Sequence, residues 1–188
     1  CSSLDVASKE ILFSVIETNF GLSNPSTQMV DEVGEDTTHL VLGEKKRTLK
    51  VLYALAHGIW IVSFDWVLGS IRKGRWLDEK KFQVTRWFPG CQRARAARDQ
   101  DKPKLLLDGH FVFLNGNTKP AQHELEQLVV ICGGRLVDRY KDCTLCISSS
   151  SATRPKRTSS NRPIVSEEWF LDSLTLYQRQ PFDEYFYD

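Results

Sequence analysis

One stretch of this chain occurs twice, as IVSFDWVLGS at positions 61–70 and as IVSEEWFLDS at positions 164–173. The offset of 103 positions is far longer than the period of a stacked solenoid repeat. Each copy begins with a short apolar run and continues into an amphipathic stretch that contains a Trp. We therefore expect two compact copies of one unit rather than an extended array.

The similarity between the copies extends on both sides of this stretch. Upstream, THLV at 38–41 corresponds to TLCI at 144–147. Downstream, LDE at 77–79 corresponds to FDE at 182–184 after a slip of two residues. Because the matching pieces keep their order and nearly their spacing, two unrelated amphipathic helices are a poor explanation.

The copies predict three segments: a first repeat at 1–82, a linker at 83–104 and a second repeat at 105–188. The linker is rich in Arg and Asp and has little apolar content, although part of it could be helical. Repeats of roughly 90 residues bury modest cores when alone, so we expect the two to pack against each other.

Composition and charge narrow the class of protein. With 41% hydrophobic and 26% charged residues, the chain has the composition of a soluble globular protein. No apolar run approaches the roughly 20 residues that cross a bilayer, so we expect no membrane partner. The net charge of +1 creates no global field for nucleic acid, and any anion site must be local.

The five cysteines are odd in number and show no framework of small-domain disulfides, which favours a reducing compartment, the cytosol or the nucleus. The spelling Cys143-Thr-Leu-Cys146 matches a metal or redox motif. It falls on a predicted strand, however, where residues three apart point to opposite faces, so we interpret both cysteines as structural. The four His residues are scattered and indicate no catalytic triad.

Apolar periodicity predicts the elements of the first repeat. They are a helix over 8–20, short strands at 29–30 and 38–42, a helix over 47–57 ended by Gly58, a buried strand at 59–62, and a helix over 64–73 ended by Gly74. Trp66 in the last helix and Trp169 in its copy are predicted to anchor the two cores.

The second repeat follows the same plan with one element missing. A strand is expected at 111–114, a helix around Leu125–Cys132, a turn at Gly133-Gly134 and a strand at 135–137. Where the first repeat has its second helix, the second has a polar stretch at 148–163 without apolar periodicity, which we expect to be a loop.

These features resemble the BRCT family: a Trp in the last helix after a Val-Ser, a Gly-Gly after the first helix, and Thr38-His39 beside a strand. The resemblance covers nearly the whole chain. It implies an α/β fold of two BRCT repeats, each a small, about four-stranded parallel sheet flanked by helices, packed head to tail. It also implies a non-enzymatic reader of phosphoserine peptides in the DNA-damage response, in the nucleus on chromatin and secondarily at the centrosome.

The resemblance places the phosphate site at Ser2, Ser3 and Lys50. The chemistry agrees, because a Ser2 hydroxyl and a Ser3 N–H just before the first helix can donate to phosphate oxygens at the positive end of the helix dipole. Lys50 adds a full charge from the second helix. By itself, a Lys-rich run at a helix start is usually solvated surface.

The resemblance also implies a partner and further site residues. The ligand is the phosphorylated C-terminal tail of a histone variant, phosphoSer-Gln-Glu-Tyr with a free carboxylate. Arg47, three residues before Lys50 and on the same predicted helical face, binds the peptide backbone or the terminal carboxylate. The downstream side chain enters a pocket formed by Leu52 and by Thr118, Lys119 and Pro120. No cofactor or metal is implied, and the module is expected to be monomeric.

Two alternatives remain open. The groove could read another phosphoprotein, of the type phosphoSer-x-x-Phe. A module of a different class would bind a DNA end or DNA 5′-phosphate in the first repeat, helped by Lys45, Lys46 and the linker arginines. DNA binding should weaken steeply with salt, whereas a peptide reader discriminates the third residue after the phosphoserine.

Overall fold

The computed structural model describes residues 1–17, 27–101, 104–149 and 162–185. The chain divides into two compact units, Cys1–Arg95 and Ala96–Asp188. Most of the predicted loop at 148–163 and the end of the predicted first helix lie outside the described residues. No helix in the described part of the chain has the length and apolarity needed to cross a membrane.

The first unit contains a parallel pair of strands and the helices that cover it. In chain order its described elements are α1 (Val6–Glu17), β1 (His39–Leu42), α2 (Leu49–His57), β2 (Trp60–Ser63), α3 (Asp65–Lys73), a 3₁₀ turn (Glu79–Lys81) and α4 (Gly90–Arg98), within which the unit boundary falls. The parallel register runs from His39 opposite Trp60 to Leu42 opposite Ser63. Single bridges extend the sheet, parallel from Ser2 to Leu42 and antiparallel from Val62 to Gln83.

The second unit has a regular four-stranded sheet. Its described elements are β3 (Phe111–Asn115), α5 (Gln122–Ile131), β4 (Arg135–Leu136), a 3₁₀ turn (Tyr140–Asp142), β5 (Leu145–Ser148), β6 (Ile164–Ser166) and α6 (Glu167–Leu176). The strands lie in the order β4-β3-β5-β6, and every pair is parallel. The predicted α/β class with parallel sheets is confirmed.

The elements of the first unit follow the apolar pattern closely. Leu12 and Val15 of α1 are buried, and α2 buries five residues because its sequence is apolar on most sides. The helices α2 and α3 end at Gly58 and Gly74, as predicted. The predicted strand at 29–30 is wrong: residues 27–30 have no regular structure, and Val30 is 47% exposed rather than packed in the core.

The repeated Trp is a buried anchor in both units. Trp66 is 5% exposed, and its indole N–H donates to the Leu77 carbonyl oxygen at 2.8 Å. Trp169 is fully buried, and its indole N–H donates to the Gln180 carbonyl oxygen at 2.9 Å. In each case the acceptor lies 11 residues after the Trp, so the prediction of two structural anchors is confirmed.

A repeated Ser holds the same segment, the chain that follows the last helix of each unit. The hydroxyl of Ser70 accepts a hydrogen bond from the Leu77 N–H at 3.1 Å, and the hydroxyl of Ser173 accepts one from the Gln180 N–H at 3.0 Å. Both serines have no exposed surface. The chain leaving the last helix is therefore attached to that helix through both its N–H and its C=O groups, in the same way in both units.

The Gly-Gly pair after α5 is required by the backbone. Gly133 has φ +87°, a conformation that side chains rarely adopt, and a Cβ there would overlap the Asp108 carboxylate. At Gly134 a Cβ would lie 2.8 Å from a methyl carbon of Val129. The pair thus provides both the turn and the close approach that lead the chain from α5 into β4.

Candidate functional site

The sheet of the first unit positions Ser2. The Ser2 N–H donates to the Val41 carbonyl oxygen at 3.0 Å, and the Ser2 carbonyl oxygen accepts from the Gly43 N–H at 3.3 Å. These two bonds align residue 2 with the end of β1 as an additional strand position. Ser2 is 8% exposed, so its hydroxyl is held at a defined place rather than at a free chain end.

Gly43 permits this approach of the two backbones. A Cβ at position 43 would overlap the Ser3 carbonyl oxygen and would lie 3.1 Å from the Leu4 Cα. Both obstacles include backbone atoms, which cannot rotate away as a flexible side chain could. The absence of a side chain at position 43 is therefore a condition for the geometry of residues 2–4.

Ser3 has an unusual backbone conformation. Its φ of +52° lies in the left-handed region, which favours Gly and raises the energy of other residues by about 1 kcal/mol or more. The backbone turns sharply here before α1 begins at Val6. A small side chain is consequently favoured next to the predicted phosphate site.

We expect Ser3→Val to destabilise the first unit and to weaken phosphate binding, because a β-branched residue fits the left-handed region poorly. Ser3→Gly should be close to neutral, since relief of strain is offset by the greater freedom of Gly in the unfolded chain. Thermal unfolding and phosphopeptide titration of both variants test this. Equal behaviour of the Val and Gly variants would contradict it.

The hydroxyl of Ser2 contacts the start of α2 through Thr48, a residue that the sequence analysis missed. The two hydroxyl oxygens lie 2.9 Å apart, and either can be the donor. Thr48 is the N-cap of α2, in an extended conformation, and its hydroxyl accepts from the Val51 N–H at 3.4 Å. The available signal was the Thr that precedes the apolar run of this helix, which is typical of an N-cap.

The positive end of a helix dipole at this site belongs to α2. No acidic residue occupies the first turn of α2, and Lys50 lies there with its side chain half-buried. The N-terminus of α1, whose dipole was also expected to attract the phosphate, is already occupied by a carboxylate of this chain. The Asp5 carboxylate accepts from the Ser8 N–H at 2.7 Å, and this hydrogen bond lowers the pKa of Asp5. An added anion is therefore better placed at α2.

The three predicted phosphate-site residues line one open cavity of about 490 Å³. The full lining among the described residues is Cys1, Ser2, Ser3, Lys9, Glu10, Phe13, Met29, Asp31 and Lys50. Residues far apart in sequence are thus brought together by the pairing of residue 2 with β1 and by the start of α2. A hydroxyl, a sharply turned backbone and an ammonium group together form a suitable cradle for a phosphate.

The structure corrects the predicted setting of Arg47. The predicted helix over 47–57 begins instead at Leu49, because Thr48 has φ −92° and ψ 165° and acts as the N-cap. Arg47 therefore precedes the helix and, contrary to the prediction, does not share a helical face with Lys50. Its side chain is exposed and takes part in interactions. The role of Arg47 in binding a carboxylate stays a prediction.

The residues predicted for the downstream pocket belong to both units. Leu52 lies in α2 of the first unit and is 3% exposed. In the second unit, Thr118 is buried and its hydroxyl donates to the Pro120 carbonyl oxygen at 2.9 Å, while Lys119 is exposed. A shared pocket of these residues stays a prediction.

The Cys143/Cys146 pair has the environment of core residues. Both side chains are buried, and burial raises the pKa of the Cys146 thiol to about 12 and also raises the pKa of Cys143. A thiol with a raised pKa is a poor nucleophile and a poor metal ligand, because both functions need the thiolate. Among the described residues, no group of three or more His, Cys, Asp or Glu could hold a metal ion.

Two family models match the chain, one in each unit. The model described as "BRCA1 C Terminus (BRCT) domain" matches residues 2–71, and the model described as "BRCT domain" matches residues 105–186. The first match begins at Ser2 and contains Lys50, and the second contains the whole sheet of the second unit.

Curated relatives include microcephalin from several mammals. Mouse microcephalin is 30% identical over 188 residues, which is 98% of this chain and 22% of that protein. Human microcephalin is 28% identical over 181 residues, 94% of this chain and 21% of that protein. The chain thus spans about a fifth of the length of these relatives.

Two solved structures show the fold that this chain shares. The S. pombe Brc1 BRCT5-BRCT6 domains match with a TM-score of 0.58 and 17% identity, over 77% of this chain and 80% of that one. Rtt107p, solved in complex with a phosphorylated histone, matches with a TM-score of 0.58 and 11% identity, over 99% of this chain and 88% of that one. With a family model on each unit and this shared fold, the chain belongs to the BRCT family and contains two BRCT domains in tandem.

Proposed function

We propose that this BRCT pair is a phosphoserine-peptide reader of the DNA-damage response. The observation that carries the proposal is the cavity of the first unit, where Ser2, Ser3 and Lys50 lie together at the start of α2. A phosphoserine carries about −1.5 to −2 charges at neutral pH and three strong acceptor oxygens. The cavity offers a positive charge, a hydroxyl and the positive end of a helix dipole to such a group.

The contact between Ser2 and Thr48 makes the hydroxyl useful for this purpose. If the Thr48 hydroxyl donates to the Ser2 oxygen at 2.9 Å, the Ser2 proton is left for the phosphate. Thr48 can act as donor while its oxygen accepts from the Val51 N–H. In this arrangement Thr48 is a positioning residue for the Ser2 hydroxyl, and the phosphate contacts Ser2 and Lys50.

The finer proposal is that the ligand is the C-terminal tail of a phosphorylated histone variant, phosphoSer-Gln-Glu-Tyr with a free carboxylate. Support comes from the similarity to microcephalin, whose C-terminal BRCT pair this chain resembles at RTLK (47–50) and CGG (132–134). Further support is the fold shared with Rtt107p, which was solved with a phosphorylated histone. The proposed location is the nucleus, on chromatin.

Calorimetric titration with four synthetic tails tests the function. The tails end in Gln-Glu-Tyr and are phosphorylated or not at the preceding Ser, each with a free or an amidated C-terminus. We expect tight binding only for the phosphorylated tail with the free carboxylate. Binding to none of them, together with salt-sensitive binding to DNA ends, would replace the proposal by the DNA alternative, for which the exposed Lys45 and Lys46 beside α2 are suited.

We predict that Arg47→Gln selectively weakens the tail with the free carboxylate. An Arg contributes a planar, two-pronged cation that fits a carboxylate, and Gln keeps a polar side chain without the charge. The affinity for the amidated phosphorylated tail should fall less. Equal losses for the two tails would remove Arg47 from the recognition of the chain end.

A further inference from the structure

The cavity of the first unit is larger than the phosphate site and continues along α1. Its volume of about 490 Å³ is in the range of ligand-binding clefts, roughly 300 to 1,000 Å³, and it is open to solvent. Ser2, Ser3 and Lys50 form only part of its lining. The rest comes mainly from α1 and from residues 29–31, which the proposed contacts with phosphate do not use.

This second part of the cavity, the α1 side, has an apolar wall. Phe13 lines it, although its side chain is 50% exposed, and the half-buried Met29 lies in the same lining. Phe13 is three and four residues after Glu10 and Lys9, so the three side chains share one face of α1. A different face carries Leu12 and Val15 into the core. Phe13 and Met29 thus give the cavity an apolar wall beside the phosphate site.

Charge adds a second property to the α1 side. The carboxylates of Glu10 and Asp31 line the cavity together with the ammonium group of Lys9, and all three residues are exposed. A carboxylate on a ligand that entered here would meet two like charges and one opposite charge, whereas an apolar side chain would meet Phe13 and Met29 without net repulsion. The α1 side therefore favours an apolar group and disfavours an acidic one.

The position of the cavity indicates which part of a ligand it receives. Arg47 and Leu52, proposed for the chain end and for the downstream side chain, are not among the described residues that line it. If Arg47 and Leu52 have these roles, the residues after the phosphoserine leave the cavity. An extended peptide advances about 3.3 Å per residue, so the two residues before the phosphoserine span about 7 Å and remain within reach of α1.

We propose that the α1 side of the cavity binds an apolar side chain from one of the two residues that precede the phosphoserine. The inference rests on the proposed phosphopeptide function and adds to it an upstream preference, apolar over acidic. Phe13 is the specificity-determining residue, and Met29 supports it. Recognition of the ligand then extends on both sides of the phosphate.

A set of extended tails tests this. Acetylated peptides carry Gly-Gly, Leu-Gly, Gly-Leu, Asp-Gly or Gly-Asp before phosphoSer-Gln-Glu-Tyr, and the four-residue phosphorylated tail is the reference. We expect one of the Leu peptides to bind about tenfold more tightly than the Gly-Gly peptide, as for partial burial of one apolar side chain. The Asp peptide with the same position substituted should bind more weakly than Gly-Gly.

Two variants of α1 locate the effect. Phe13→Ser should remove the advantage of the Leu peptide and leave the affinity for the four-residue tail unchanged. Ile11→Ser is the matched control, because Ile11 is a 39% exposed apolar residue of the same helix that is not among the described lining residues. This variant should keep the full advantage.

The outcomes separate the inference from the function on which it rests. Equal affinities for the Leu and Gly peptides, with the four-residue tail still bound, would overturn the upstream preference alone. Retention of the Leu advantage in Phe13→Ser would also overturn it. Failure of the unsubstituted protein to bind any phosphorylated peptide, the four-residue tail included, would overturn both proposals.

Discussion

Lys50→Met should abolish measurable binding of the phosphorylated tail while leaving thermal stability nearly unchanged. Removing one partner of a desolvated charge pair weakens binding by about 2 to 5 kcal/mol, which is roughly a 30-fold loss or more. Met has a similar length and a helix propensity close to that of Lys, so α2 should still form. The half-buried stem of Lys50 is replaced by another flexible apolar chain.

The control for this prediction is Lys46→Met. Lys46 is exposed and precedes the N-cap Thr48, so this substitution removes the same charge from the same run without touching the cavity. Calorimetry and thermal unfolding of both variants give the comparison. If the two variants lose affinity equally, long-range charge rather than a contact explains the effect, and if Lys50→Met binds normally, the phosphate assignment is wrong.

Gly43→Ala should damage both stability and phosphopeptide binding. The new Cβ would overlap the Ser3 carbonyl oxygen, so residues 2–4 would have to move away from β1. The two hydrogen bonds that hold Ser2, with Val41 and with Gly43, would then be strained or lost. We expect a loss of about 1 to 3 kcal/mol in the free energy of unfolding, as for other overpacked sites. Affinity should fall strongly, because the Ser2 hydroxyl leaves its position beside Thr48.

Gly34→Ala is the matched control for Gly43→Ala. A Cβ at position 34 would meet nothing within 4 Å, so this substitution tests the entropy of Gly without a clash. Its free energy of unfolding should stay within about 0.5 kcal/mol of the unsubstituted protein. Unchanged affinity and unchanged melting temperature in Gly43→Ala would show that the backbones can separate without consequence, contrary to the prediction.

Sequence patterns predicted an element well wherever its bounds depend on a few neighbouring residues. Helices α2 and α3 end at the glycines that the sequence singled out, because a helix stop depends on a single residue and its neighbours. The predicted start of α2 is two residues too early, because the charged residues at 45–47 are compatible with a helix that Thr48 in fact begins as its N-cap. The strand at 29–30 was wrong because two apolar residues carry no information about a partner strand.

The candidate site was predictable in its residue types and less so in its contacts. Ser2, Ser3 and Lys50 came from a family resemblance, and the structure places them on one cavity. The close approach at Gly43 joins backbones 40 residues apart, which no local pattern reveals. The exposure of Phe13 could not be predicted either, because on a helix with an apolar core face only the three-dimensional structure distinguishes an exposed apolar residue from a buried one.

The buried, hydrogen-bonded Trp in the last helix of each BRCT domain gives that domain its own spectroscopic reporter. The indole protons of Trp66 and Trp169 are both buried and hydrogen-bonded to a carbonyl within their own domain. Their exchange with solvent therefore requires opening of that domain, and the two exchange rates give two separate free energies of opening. A ligand that binds in the first domain should slow the exchange of the Trp66 proton, and any slowing at Trp169 measures the energy that the two domains share.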